Sequence, residues 1–127
     1  MMPQNHLLFF TFLPSNTCGV LMEMNAFQEK SARSAVYPKV LEGGIFYACM
    51  GLSGEVGELL NKVKKIARDG AQIDREGIKM ELGDIMWYVA MVAKEAGIKL
   101  EDVADANIEK LEKRMKNNTI HGNGDYR

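Results

Sequence analysis

Histidine is scarce in this chain. The two copies, His6 and His121, have no partner of ligand type nearby, and neither reads as catalytic. Cysteine is equally rare. Cys18 and Cys49 match no zinc spacing and suggest no disulfide framework. Cys49 falls in an apolar helical phase, which predicts a buried thiol and fits a reducing cytoplasm. An excess of one charge is also lacking: 16 Lys and Arg stand against 17 Asp and Glu, a net charge of −1. That gives no electrostatic footprint for duplex nucleic acid. The apolar run Leu7-Leu8-Phe9-Phe10-Thr11-Phe12-Leu13 is too short to span a bilayer. No Lys or Arg precedes it, which argues against a signal peptide. There is no low-complexity tract and no β alternation of useful length. What remains is one cytoplasmic all-α domain with no membrane or duplex nucleic-acid partner.

Four helices follow from the periodicity. Residues 1–23 read as an N-terminal extension or arm, 24–116 as the helical domain and 117–127 as an irregular tail. Asn25 caps the first helix, with Gln28 completing a capping box. This helix passes Phe27, Ala32 and Ala35 and stops near Tyr37-Pro38, because a residue before proline avoids the α region. The second carries the seam Ile45, Cys49, Leu52, Val56, Leu59, Val63 and Ile66, expected to be the core face, and ends at Gly70. Asp74 caps a third helix with the seam Ile78, Leu82, Ile85, Val89, Val92 and Ala96. A fourth, from about Glu101, carries Ala104, Ile108, Leu111 and Met115.

The informative feature is a repeated pentad. Glu55-Val56-Gly57-Glu58-Leu59 is echoed by Glu81-Leu82-Gly83-Asp84-Ile85. On a helix, carboxylates three apart lie about 60° apart around the axis and roughly 4.5 Å along it. Each copy therefore offers two acids on one face. Glu58 lies eleven residues before Asp69 and Asp84 ten after Asp74. A short loop forces an antiparallel hairpin. Glu58 is then expected to face Asp84, with Glu55 beside Glu81. Four carboxylates repel unless a cation joins them, and hard divalent cations take oxygen ligands. Neither pair continues to the Glu-x-x-His that di-iron bundles require. An all-oxygen site suits Mg²⁺, with Mn²⁺ as the substitute. One residue back from each seam, the same phase also holds Lys62 and Lys65 on the second helix, Tyr88 on the third, and Asn107, Lys110 and Arg114 on the fourth. Gly51, Gly54 and Gly57 are expected to admit a close helix approach.

Glu55-x-x-Glu58 followed by Glu81-x-x-Asp84 resembles the signature of the all-α nucleotide pyrophosphohydrolases, the MazG-like family, whose relatives include dCTP and dUTP pyrophosphatases. Ser31-Ala32-Arg33-Ser34-Ala35-Val36-Tyr37-Pro38, Gly51-Leu52-Ser53-Gly54 before the first pair, Lys62-Val63-Lys64-Lys65 and Arg68-Asp69-Gly70 are similar to stretches of members. So are Ala106-Asn107-Ile108-Glu109-Lys110-Leu111 with Arg114, and Gly122-Asn123-Gly124-Asp125-Tyr126-Arg127. The likeness covers about Met24 to the C-terminus. It implies cleavage of a nucleoside triphosphate between the α and β phosphates, Mg²⁺ held by the four acids, an antiparallel four-helix-bundle-like fold and a homo-oligomer. Tyr88 matches a position that lies at the nucleotide in related dCTP-cleaving enzymes. Some relatives place an aromatic seven residues after the second acid; this chain has Lys65 there.

Phosphoryl chemistry explains the remaining residue types. Glu55, Glu58, Glu81 and Asp84 are the metal ligands, with Glu55 and Glu58 the candidates for the catalytic base. Lys62, Lys65, Lys110 and Arg114 are the candidates to hold the β and γ phosphates. Tyr88 and Asn107 are the candidates to contact the nucleoside. Phe46, Leu60, Met80, Met86, Trp87 and Met91 are left over after the seams, which predicts a two-fold homodimer or a dimer of dimers. The alternative is a non-catalytic helical module, either a nucleotide sensor or a Mg²⁺-stabilised assembly protein.

Overall fold

The structure is a computed structural model that describes residues 21–39 and 43–120. The expectations for residues 1–20, for Cys18, His6 and His121, and for the end of the tail lie outside the described residues. The fold is all-α with four helices: α1 (Met24–Ala32), α2 (Ile45–Asp69), α3 (Arg75–Glu95) and α4 (Leu100–Lys116). No described helix is long and apolar enough to cross a membrane.

Local signals set the helix ends. Gly70 stops α2 in the left-handed region at φ 63°, where glycine carries no Cβ penalty. Asp74 Oδ1 accepts from Gly77 N–H at 2.9 Å and caps α3. Gly97, at φ 70°, turns the chain out of α3, with the Ile98 N–H donating to Ala93 O at 2.8 Å.

The first helix departs from expectation. Glu23, not Asn25, is the N-cap of α1, and no side chain caps it. Asn25 and Gln28 lie three apart on one face and cap α4 instead. Asn25 Oδ1 accepts from Glu101 N–H at 3.0 Å, and Gln28 Oε1 accepts from Leu100 N–H at 3.1 Å. The physical reason lies in α4. Its N-cap is Lys99, whose side chain has no acceptor, so the free N–H groups of its first turn are satisfied from α1. Gln28 Nε2 also donates to Ala90 O and Ile98 O. α1 ends at Ala32, short of the expected stop near Tyr37.

α3 is the central element. It packs against each of the other three helices, whereas among the described residues α2 packs on α3 alone. The core is shifted off the expected seams, although Val89 and Val92 of the α3 seam still pack against it. Ala48, Ala90 and Met91 are fully buried and Ala93 and Leu100 nearly so, with Phe27, Trp87, Tyr88 and Val89 packed around them. Ala48 belongs to the stripe one residue behind the expected seam of α2. Small residues there let α2 and α3 approach closely. The expected seam is covered only in part: Ile45, Leu52, Leu59 and Ile66 are half-buried, but Val56 is 39% and Val63 46% exposed, and Cys49 is exposed, not buried. A helix with one neighbour has one covered face. Met91, expected among the leftover apolar residues, is core.

Candidate metal and nucleotide site

The α2–α3 hairpin fixes the site through its register. A Cβ on Gly51 would lie 2.1 Å from Tyr88 Cε1, so glycine alone lets the Tyr88 ring rest on α2. Gly44 stands opposite Glu95 in the same way. Lys62 Nζ meets Glu81 Oε1 at 3.3 Å. Of the other two glycines expected to admit a helix, Gly54 and Gly57 face open space.

Glu55, Glu81 and Asp84 come together, with one carboxylate oxygen from each within 4.8 Å of the others. Glu81 is buried, Glu55 half-buried and Asp84 exposed. Glu58 is exposed and lies outside this trio. The facing pair is thus Glu55 with Asp84, in place of the expected Glu58 with Asp84. The last turn of α2 runs past the start of α3, which offsets levels counted from the helix ends by about one turn. Burial raises the Glu55 carboxyl above its ordinary pKa, and the charges of Asp84, Glu58 and Glu81 raise it further. The cluster is all oxygen and rich in mutual repulsion, with Lys62 as its bridged cation. That donor set could coordinate a divalent metal.

An aromatic recess adjoins the acids. Ser34, Glu55, Asp84, Trp87 and Tyr88 line a cavity of about 470 Å³. Ser34, Trp87 and Tyr88 are shared with a second cavity of about 240 Å³, completed by Val36, Tyr37, Pro38 and Tyr47. Tyr37 stacks on Tyr47 with centroids 5.3 Å apart and planes at 12°. Trp87 meets Tyr37 and Tyr88 edge-on, at 6.1 and 4.8 Å. Trp87 Nε1 donates to Ser31 O and Ser34 Oγ. Burial, then Tyr47 and the Glu55 and Asp84 charges, raise the Tyr88 hydroxyl above its ordinary pKa. In the sequence Tyr37 stood out only as a helix stop and within a family-like stretch, not as a site residue, and Tyr47 not at all. Tyr47, four residues before Gly51, was the signal available, since it shares a helix face with the close approach to Tyr88.

The remaining sequence candidates lie apart. Lys65 is exposed near the end of α2. Asn107 is exposed, Lys110 half-buried and Arg114 buried, all on α4. Among the described residues α4 packs on α1 and α3 and not on α2. None of the three lines the cavity beside the acids.

A family model for the MazG nucleotide pyrophosphohydrolase domain matches residues 48–119, a span that includes the three clustered acids, Trp87 and Tyr88. The Gene 37 protein of Mycobacterium phage L5 is 40% identical over 114 residues, which covers 84% of this chain and 100% of that protein. No solved structure matches.

Proposed function

This chain belongs to the MazG nucleotide pyrophosphohydrolase domain family, and from that premise we propose that it cleaves a nucleoside triphosphate between the α and β phosphates. The products are a nucleoside monophosphate and pyrophosphate. One observation carries the reading: carboxylate oxygens of Glu55, Glu81 and Asp84 lie within 4.8 Å of one another, beside an aromatic recess able to take a base.

Glu55, Glu81 and Asp84 would hold Mg²⁺, with Glu58 joining them directly or through water; Mn²⁺ is the substitute. Bound there, the ion would neutralise phosphate oxygens and acidify a water. The chain's own side chains supply the rest. Glu58, exposed and outside the trio, accepts the proton of the attacking water, with Glu55 the other candidate. Lys62, already at Glu81, turns to the β and γ phosphates, and Lys65 adds a second charge one turn on. Tyr88 contacts the nucleoside. Asn107, Lys110 and Arg114 serve the site across a subunit contact, in a homodimer or a dimer of dimers. Exposed Phe46, Leu60, Met80 and Met86 support that assembly.

A panel of ribo- and deoxynucleoside triphosphates with Mg²⁺ in ¹⁸O water tests the reaction. Pyrophosphate release, with label in the monophosphate or the pyrophosphate, is expected. Orthophosphate released from the γ position overturns the assignment. Binding without turnover makes the protein a nucleotide sensor.

A further inference from the structure

Ser34, Val36, Tyr37 and Pro38, between α1 and α2, wall the aromatic recess, and residues 35–39 form no helix or strand. Ser34 anchors the start of this segment, donating to Ser31 O at 2.8 Å and accepting from Trp87 Nε1 at 2.9 Å. Beyond Ser34, among the described residues, a single hydrogen bond ties residues 36–39 to the helices: Tyr37 Oη donates to Glu95 Oε1 at 2.8 Å. The other Glu95 oxygen, Oε2, accepts from Gly44 N–H at 3.2 Å. One carboxylate in the last turn of α3 therefore holds both the recess wall and the start of α2, where the positive helix end favours it. The fit is close: a Cβ on Gly44 would lie 2.4 Å from Tyr37 Cε2 and 2.7 Å from Glu95 Cδ.

We propose that Glu95 is a positioning residue for the nucleobase: by holding the Tyr37 hydroxyl it fixes the aromatic wall of Tyr37 and Tyr47, and so sets affinity for the base without touching the phosphates. The proposal rests on reading the acid cluster as the triphosphate site. Both partners stay in the required state at neutral pH. The bond from Tyr37 holds the Glu95 carboxyl below the usual glutamate range, and the Gly44 N–H and the charges of Lys39 and Lys94 add to this. Burial, together with Glu95, pushes the Tyr37 hydroxyl up to about 12. The acceptor is charged and the donor keeps its proton. Losing the bond frees the ring, and the cost falls on ordering the wall when a base binds.

Full-length Tyr37→Phe, Glu95→Ala and the double variant test this by two readouts. One is steady-state kinetics with deoxynucleoside triphosphates and Mg²⁺. The other is quenching of Trp87, the single tryptophan, by the four deoxynucleoside monophosphates without metal. Each single variant is expected to raise KM about tenfold with kcat moving less than about threefold. Monophosphate quenching weakens by a similar factor. The double variant is no worse than Glu95→Ala, as for two members of one interaction. Glu95→Gln keeps its amide oxygen for the Gly44 N–H and donates from its NH2 to Tyr37 Oη, which then accepts, so it recovers part of the affinity. Mn²⁺ binding, read by paramagnetic resonance, stays at the wild-type value. Tyr37→Phe removes only the hydroxyl that donates to Glu95 and leaves the ring, so it remains decisive should Glu95→Ala loosen α2. Wild-type KM in Tyr37→Phe, alongside normal wild-type turnover, overturns the positioning role and leaves the hydrolase reading standing. Neither turnover nor Trp87 quenching in the wild type overturns both.

Discussion

Glu55 is the carboxyl whose surroundings resist ionisation, through burial first and then through Asp84, Glu58 and Glu81. Its folded pKa lies above its unfolded value. Stability of the metal-free protein is therefore full below the ordinary glutamate pKa and falls as pH rises through the raised one. Glu55→Gln removes that penalty. At neutral pH the metal-free variant is expected to melt above the wild type, while turnover drops by at least about a hundredfold. Mg²⁺ raises the wild-type midpoint and leaves that of the variant unmoved. Calorimetry with and without Mg²⁺ checks this, and equal melting of both metal-free proteins would sink it. Gly51→Ala is the second residue-scale test. Alanine is better in a helix by about 1 kcal/mol, yet its Cβ would meet the Tyr88 ring at 2.1 Å. Tyr88 must move, so KM for the triphosphate is expected to rise severalfold without a gain in melting temperature; unchanged KM would remove Tyr88 from the nucleotide. The acids were legible in the sequence because the pentad repeats. Which acid faces which was not, because the overhang of α2 past α3 is a packing outcome that helix ends do not reveal.

Helices borrow their caps across the fold. Gln28 donates to Ala90 O and Ile98 O and accepts from Leu100 N–H, so one side chain joins α1, α3 and the start of α4. Gln28→Ala leaves these groups to water or unpaired, at a cost of about 1–3 kcal/mol. Hydrogen exchange at Leu100 and Glu101 is expected to quicken more than exchange in the middle of α2; uniform protection would show that the cap does not hold α4. In the sequence, Asn25 and Gln28 looked like a capping box for their own helix. Spacing of three is common to a box and to one exposed helix face, and only the position of α4 separates the two. The ends of α2 and α3 were legible, since Gly70, Asp74 and Gly97 act through local backbone geometry.

At the scale of the molecule, α3 is surrounded and α2 is not. Leu60 is 62% and Met80 63% exposed, and Phe46 and Met86 about half so. Scattered singly these would need no account, but α2 carries Phe46, Met50, Val56, Leu60 and Val63 together. On the proposed assembly, light scattering at micromolar concentration gives at least twice 14.2 kDa. A fully active species at 14.2 kDa would refute both the dimer and the shared site. The periodicity correctly marked these residues as apolar. It placed Val56 and Val63 on the core face, where the structure leaves them exposed, because one period marks an apolar stripe whatever that stripe faces. The hairpin register has a kinetic consequence as well. Glu55, Glu81 and Asp84 all lie on two helices joined by a loop of a few residues, so the cluster closes through contacts near in sequence. Such contacts cost little loop-closure entropy, and the expectation is that they form ahead of the docking of α1 and α4. A cation that joins the three carboxylates would then act on the folding transition state itself, and stopped-flow refolding should run faster in Mg²⁺. An effect confined to the unfolding limb would place closure of the cluster after the barrier.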